Sequence, residues 1–132
     1  MKKIAIVADG WRRYINYAWI SGCRQYIKEK KLDAQLYVFY AFGNFSKDEK
    51  YNQGEYNIIT LPDFRQFDGI IVELTNVLKR KYARKIIDTI RTSKVPAVSL
   101  LERIPGLYFA GIDNYSAMKE IVEHLVTVHG CR

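Results

Sequence analysis

Side chains suited to binding chemistry gather in short stretches of this chain, each directly after an apolar run. Asp9-Gly10-Trp11-Arg12-Arg13-Tyr14 follows residues 4–8, and Glu73, Thr75 and Asn76 close the run at 70–74. Leu101-Glu102-Arg103 follows 95–100, and Asp113-Asn114 follows 108–112. If those runs are parallel strands, the stretches stand together at one rim of a sheet. That is where open α/β sheets bind ligands, beyond the carboxyl ends of their strands. The rim mixes aromatic, cationic, amide and acidic groups, a set suited to hydrogen bonding and stacking on a polar small molecule. The candidate ligand-binding residues are Asp9, Trp11, Arg12, Arg13, Thr75, Asn76, Glu102 and Asp113. Asp9 and Asp113 also read as helix caps, and for Asp113 the cap is the better reading. For Trp11 and Arg12, crowded into one turn, binding is favoured.

Other chemistries find less support. No Gly-x-Gly-x-x-Gly follows the first run and no Gly-x-x-x-x-Gly-Lys-Ser/Thr occurs, so no nucleotide cofactor is expected. No Ser or Cys occupies a nucleophile elbow, and Cys23 falls inside a helical pattern on its apolar side. His124 and His129 are five apart and no nearby Cys or acid is read as completing a metal set, Glu120 and Glu123 being expected to face water. A phosphoacceptor receiver would need paired acids after the first strand, an Asp ending the third and a Lys after the fifth. The chain offers Asp9 alone, Glu73, and no Lys directly after Ile112. The fragment is therefore expected to be non-catalytic.

The elements that position these residues follow from periodicity. Residues 4–8, 36–42, 70–74, 95–100 and 108–112 read as strands. The first is apolar throughout, as a strand buried on both faces of a parallel sheet must be. Between them, 14–29, 78–91 and 113–128 read as amphipathic helices. The first carries Tyr14, Ala18, Cys23, Tyr26 and Ile27 near one stripe, and the second spaces Leu78, Tyr82, Ile86 and Ile90 by four. Residues 43–64 are rich in turn formers, with Ser46-Lys47-Asp48-Glu49 able to cap a short helix. Strands alternating with helices predict right-handed βαβ units and a mainly parallel, three-layer, Rossmann-like α/β sheet in one domain.

The chain has 132 residues, enough for one compact α/β core. Its net charge of +7 is read as lysines and arginines on solvated helix faces, since no nucleic-acid-reading motif accompanies them. No apolar run is long enough to span a membrane and no signal-peptide core is present, which places the chain in the cytoplasm. Cys23 and Cys131 are expected as free thiols.

The stretches Met1 to Asp9, Phe67-Asp68-Gly69-Ile70-Ile71-Val72, Val95-Pro96-Ala97-Val98 and Gly111-Ile112-Asp113-Asn114, with His124-Leu125 and the closing His129-Gly130-Cys131-Arg132, resemble a known family. They are similar to the effector domain of lactose-repressor-type regulators, which has the type 1 periplasmic-binding-protein fold. The resemblance covers the N-terminal lobe alone, and the chain stops where the family's second lobe begins. No helix-turn-helix precedes the first strand. The segments Asp9 to Ile15 and Gly43 to Asn57 look more like the N-terminal sensor of some bacterial GGDEF proteins (diguanylate cyclases). The resemblance implies a ligand-sensing regulatory module that closes on a sugar or nucleoside-like effector. It also implies a second lobe and an output domain in cis, with the effector lobe of a transcriptional regulator as the alternative. It further implies a homodimer formed through Tyr17, Ile20, Arg24 and residues 37–39.

Overall fold

The computed structural model describes residues 1–11, 13–43, 46–77 and 79–131. Five parallel strands form one sheet in the order β2-β1-β3-β4-β5. They are β1 (Lys2–Asp9), β2 (Ala34–Ala41), β3 (Gly69–Glu73), β4 (Ala97–Leu100) and β5 (Tyr108–Ala110). β1 can sit between two neighbours because Ala5 to Asp9 is buried throughout. The order reverses at β1, so the crevice of a doubly wound sheet opens between the carboxyl ends of β1 and β3. Asp9 and Glu73 end those two strands.

One face of the sheet carries the core. Ala5, Val7, Ile70, Val72 and Ala97 meet Tyr56 and Ile59 of α2 (Glu49–Ile59) and Tyr82, Ile86 and Ile90 of α3 (Arg80–Ser93). Tyr56 and Tyr82 stack with ring centroids 4.6 Å apart, which locks the two helices together beyond the area they bury. α2 lies inside the turn-rich stretch, and its cap is Asp48, whose side chain accepts from the Lys50 N–H at 2.9 Å. Lys94 closes α3 in the left-handed conformation at φ 59°.

α1 (Arg13–Glu29) covers the opposite face, where its residues and Ile6, Ala8 and Ile71 line a common cavity. The expected stripe on this helix does not hold: Tyr14 is 88% and Tyr26 56% exposed, and the buried residue is Asn16. Besides Asn16, the least exposed residues of α1 are Trp19, Ile20, Cys23 and Ile27, and the helix leaves space between itself and the sheet. The last helix, α4 (Asn114–Thr127), is exposed along its whole length, Ile121, Val122, Leu125 and Val126 included. Its periodicity is amphipathic as expected, but no described element covers its apolar stripe. The architecture is a single three-layer, Rossmann-like α/β domain, and no helix among the described residues is long and apolar enough to cross a membrane.

Candidate functional site

The turn after β1 is held from several sides. Asp9 is fully buried, and its Oδ1 accepts from the Trp11 N–H at 2.9 Å. Its carbonyl accepts from Asn16 Nδ2 at 2.8 Å, which ties the strand end to the first turns of α1. The Gly10 N–H donates to the Ala41 carbonyl at 2.8 Å, extending the β1–β2 pairing into the turn. A Cβ at Gly10 would lie 2.5 Å from the Phe42 ring, so no larger residue fits without displacing that ring. The Trp11 indole donates to the Gly43 carbonyl at 2.9 Å and meets Phe42 edge-on at 5.5 Å. Trp11 therefore clasps the loops after β1 and β2, although it is 46% exposed.

The end of β3 is built differently. Glu73 is 1% exposed. Its Oε1 accepts from the Thr75 N–H at 2.8 Å and from the Thr75 hydroxyl. Its Oε2 is buried with no hydrogen-bond partner, and so is Oδ1 of Asn16. Both side chains line one cavity of about 500 Å³ between α1 and the sheet. The rest of that lining is mostly apolar, with Ile6, Ala8, Ile71 and Leu100 from the strands and Trp19 and Cys23 from α1, while Tyr40 of β2 adds a phenol. Burial pushes the Tyr40 hydroxyl and the Cys23 thiol above their ordinary values, so both keep their protons at neutral pH. A largely apolar recess with a few fixed polar atoms is the usual form of a small-molecule site.

The described residues among those singled out from sequence do not line this cavity. Asp9 and Trp11 build the β1 turn. Arg12 lies outside the described residues. Arg13 opens α1 with its guanidinium 5.9 Å from the Phe42 ring centre. Thr75 holds Glu73 rather than facing a ligand, and Asn76 is half-buried beside it. Glu102 is exposed, with its carbonyl accepting from the Ser99 hydroxyl at 2.7 Å. Asp113 is the cap of α4: it accepts from the Ser116 N–H at 3.1 Å and the Ser116 hydroxyl at 2.9 Å, which holds its carboxyl below the usual range. The polar residues of the cavity, Asn16, Glu73 and Tyr40, were not selected. One signal for Asn16 is present, an amide in the first turns of a helix that follows an apolar strand. His124 of α4 and His129 just beyond its end bring their Nε2 atoms within 3.2 Å, and no group of three or more metal-ligating side chains forms among the described residues.

No protein-family model matches the chain, and no curated protein matches it. Among solved structures it is similar to a 3-dehydroquinate dehydratase-like protein from Bifidobacterium longum. The sequences are 12% identical, the TM-score is 0.53, and the likeness covers 96% of this chain and 99% of that one. At that identity the likeness carries the fold alone. It replaces the expected lobe of a type 1 periplasmic-binding-protein domain, because the superposition runs over nearly the whole of a protein of another kind. The sensor module, the GGDEF output and the transcriptional-regulator alternative hung on that lobe and are corrected with it, and the non-catalytic expectation, drawn from missing motifs, is set aside by the same likeness to a dehydratase-like protein. The motifs misled because their residues serve any parallel sheet. Asp68 accepts from the Lys3 N–H at 2.8 Å and from Lys2 Nζ at 2.7 Å, Gly69 sits where a Cβ would press on Ile4, and Asp113 is a cap. The chain is thus a Rossmann-like α/β domain similar in fold to a dehydratase-like protein.

Proposed function

We propose that this chain binds a small organic molecule with an apolar body in the cavity beneath α1, and that Glu73 is its polar anchor. The observation that carries the reading is the Glu73 carboxylate, which is buried, fixed at Oε1 by Thr75 and unpartnered at Oε2 in an otherwise apolar enclosure. A buried acceptor left unsatisfied costs about 1–3 kcal/mol, a cost that a ligand donating to it removes. The test is a titration of the ¹⁵N-labelled chain with a small-fragment library, followed at backbone amides. Binding here moves Asn16, Cys23, Glu73 and Leu100 together, and Cys23→Trp, which fills the space, abolishes the shifts. Fragments that shift only amides remote from α1 and β3 would refute the site.

Acid–base catalysis in the same cavity is a second reading, favoured by the presence of an acceptor and a protonated phenol in one enclosure. Loss of water from a carbon acid needs a base to take one proton and an acid to give one to the departing hydroxide. Glu73 and Tyr40 would fill those roles, and the solved neighbour is named for a dehydratase. Under this reading β-hydroxy carbonyl compounds give a conjugated, ultraviolet-absorbing product, and Tyr40→Phe stops turnover while binding persists. Binding without turnover across such compounds removes the catalytic reading and leaves the first. The free thiols Cys23 and Cys131 support the cytoplasmic placement expected from sequence.

A further inference from the structure

We infer that the ligand of this cavity is a cation: a primary ammonium carried on an aromatic or aliphatic body. The inference rests on the cavity being a binding site and adds the charge of what it takes. Glu73 ends β3 at 1% exposure, and no Lys, Arg or His among the described residues forms an ion pair with it. A buried carboxylate with no counter-charge is the costly half of an ion pair. Among the described residues its donors come from Thr75 alone, and both go to Oε1. The unmet demand at Oε2 therefore points to a donor supplied from outside the chain.

The second acceptor narrows the class. Asn16 is 2% exposed and commits its Nδ2 to the Asp9 carbonyl at 2.8 Å, so its amide orientation is set and Oδ1 is left as an acceptor without a partner. Two acceptors, one of them charged, suit a group that is all donor. An ammonium has three N–H donors and no acceptor, whereas a hydroxyl has one donor and brings lone pairs of its own. Trp19 and Tyr40 add aromatic rings to the lining, and aromatic faces attract cations. The remaining walls, Ile6, Ile71 and Leu100 among them, fit a hydrocarbon body. A volume of about 500 Å³ accommodates a molecule the size of an arylalkylamine.

The chain's net charge of +7 opposes this assignment at long range. That field is screened over about 8 Å at physiological salt, while a pair inside the cavity is screened far less. The global charge therefore slows arrival, and Glu73 decides occupancy.

The test uses the intact chain and two nearly isosteric probes, 2-phenylethylamine and 2-phenylethanol, titrated calorimetrically and by amide shifts at pH 7. The expected result is binding of the amine about 10- to 100-fold tighter than the alcohol, the range a hydrogen bond to a charged group supplies. Glu73→Gln is expected to erase the preference by weakening the amine alone. Should that variant fail to fold, the comparison on the unaltered chain still decides. Equal or tighter binding of the alcohol, with shifts at Asn16 and Glu73, overturns the cation and leaves the cavity reading standing. No shift at those amides with either probe or with ethylbenzene overturns both.

Discussion

Glu73→Gln is expected to make the ligand-free protein more stable. In the native chain Glu73 is 1% exposed and its Oε2 has no partner. Such a group costs about 1–3 kcal/mol, and more when charged. Glutamine keeps an oxygen for the Thr75 N–H and hydroxyl, so those bonds survive. It replaces the lone carboxylate oxygen with a neutral amide nitrogen, which still lacks a partner but carries no charge. Setting the amide's residual penalty against the anion's, the net gain is about 1–2 kcal/mol. For a domain of 132 residues that corresponds to a rise in Tm of about 3–10 °C. Urea unfolding at pH 7, followed by far-UV circular dichroism, measures it with an extrapolation error of about 10–15%. A gain in stability with a loss of binding is the signature of a residue kept for function. A loss of about 1 kcal/mol or more on Glu73→Gln would refute the reasoning, because it would show that the carboxylate is met by the protein itself.

Glu49 joins α2 to α3 through Lys79, through Lys81 at 2.7 Å and through the Tyr82 hydroxyl at 2.7 Å. The Lys79 and Lys81 contacts lead in lowering its pKa from 4.5 to about 2. A depressed carboxyl stabilises above its unfolded value and loses that contribution as pH falls through the folded one. The Tm should therefore drop between about pH 4.5 and pH 2, and Glu49→Gln should flatten that part of the profile. Ile86→Ala, at a core site 1% exposed, is expected to cost about 2–5 kcal/mol in a chemical melt. Val122→Ser on α4, where the side chain is 51% exposed, should stay within about 0.5 kcal/mol, and a larger loss would mean that α4 is covered in solution. Gly10→Ala should destabilise by pressing on Phe42, and Phe42→Ala in the same chain should recover part of the loss, read as a double-mutant cycle.

The sheet was legible because buried parallel strands leave unbroken apolar runs, and residues 4–8 and 70–74 could be little else. Tyr82, Ile86 and Ile90 likewise placed α3 by spacing alone. Ser46-Lys47-Asp48-Glu49 marked the start of α2 because caps depend on neighbours a few residues away, although the cap is Asp48 and the Ser46 hydroxyl accepts from the Asp48 N–H at 2.9 Å. The cavity was not legible, because it depends on separations no local pattern encodes. Asn16 and Glu73 are 57 positions apart by their numbers, 73 less 16, and neither forms a motif. The rule that ligands bind beyond the carboxyl ends of strands points to the turns that hold Trp11, Arg13 and Glu102, whereas the cavity's polar atoms are buried beneath α1. On α1 the aromatic residues drew the stripe to Tyr14 and Tyr26, while the helix packs through Asn16.

The unsupported last helix gives the chain two tiers of cohesion. α4 has 14 residues, a length at which an isolated helix is marginal in water. With its side chains exposed, little beyond its own ladder and the Asp113 cap resists opening. Its amides should exchange at rates close to those of a free peptide, while those of β1 and β3 await opening of the whole sheet. A protease acting at Lys119 would then cut long before the core yields. The shortened product would keep Asn16, Glu73 and the walls between them intact.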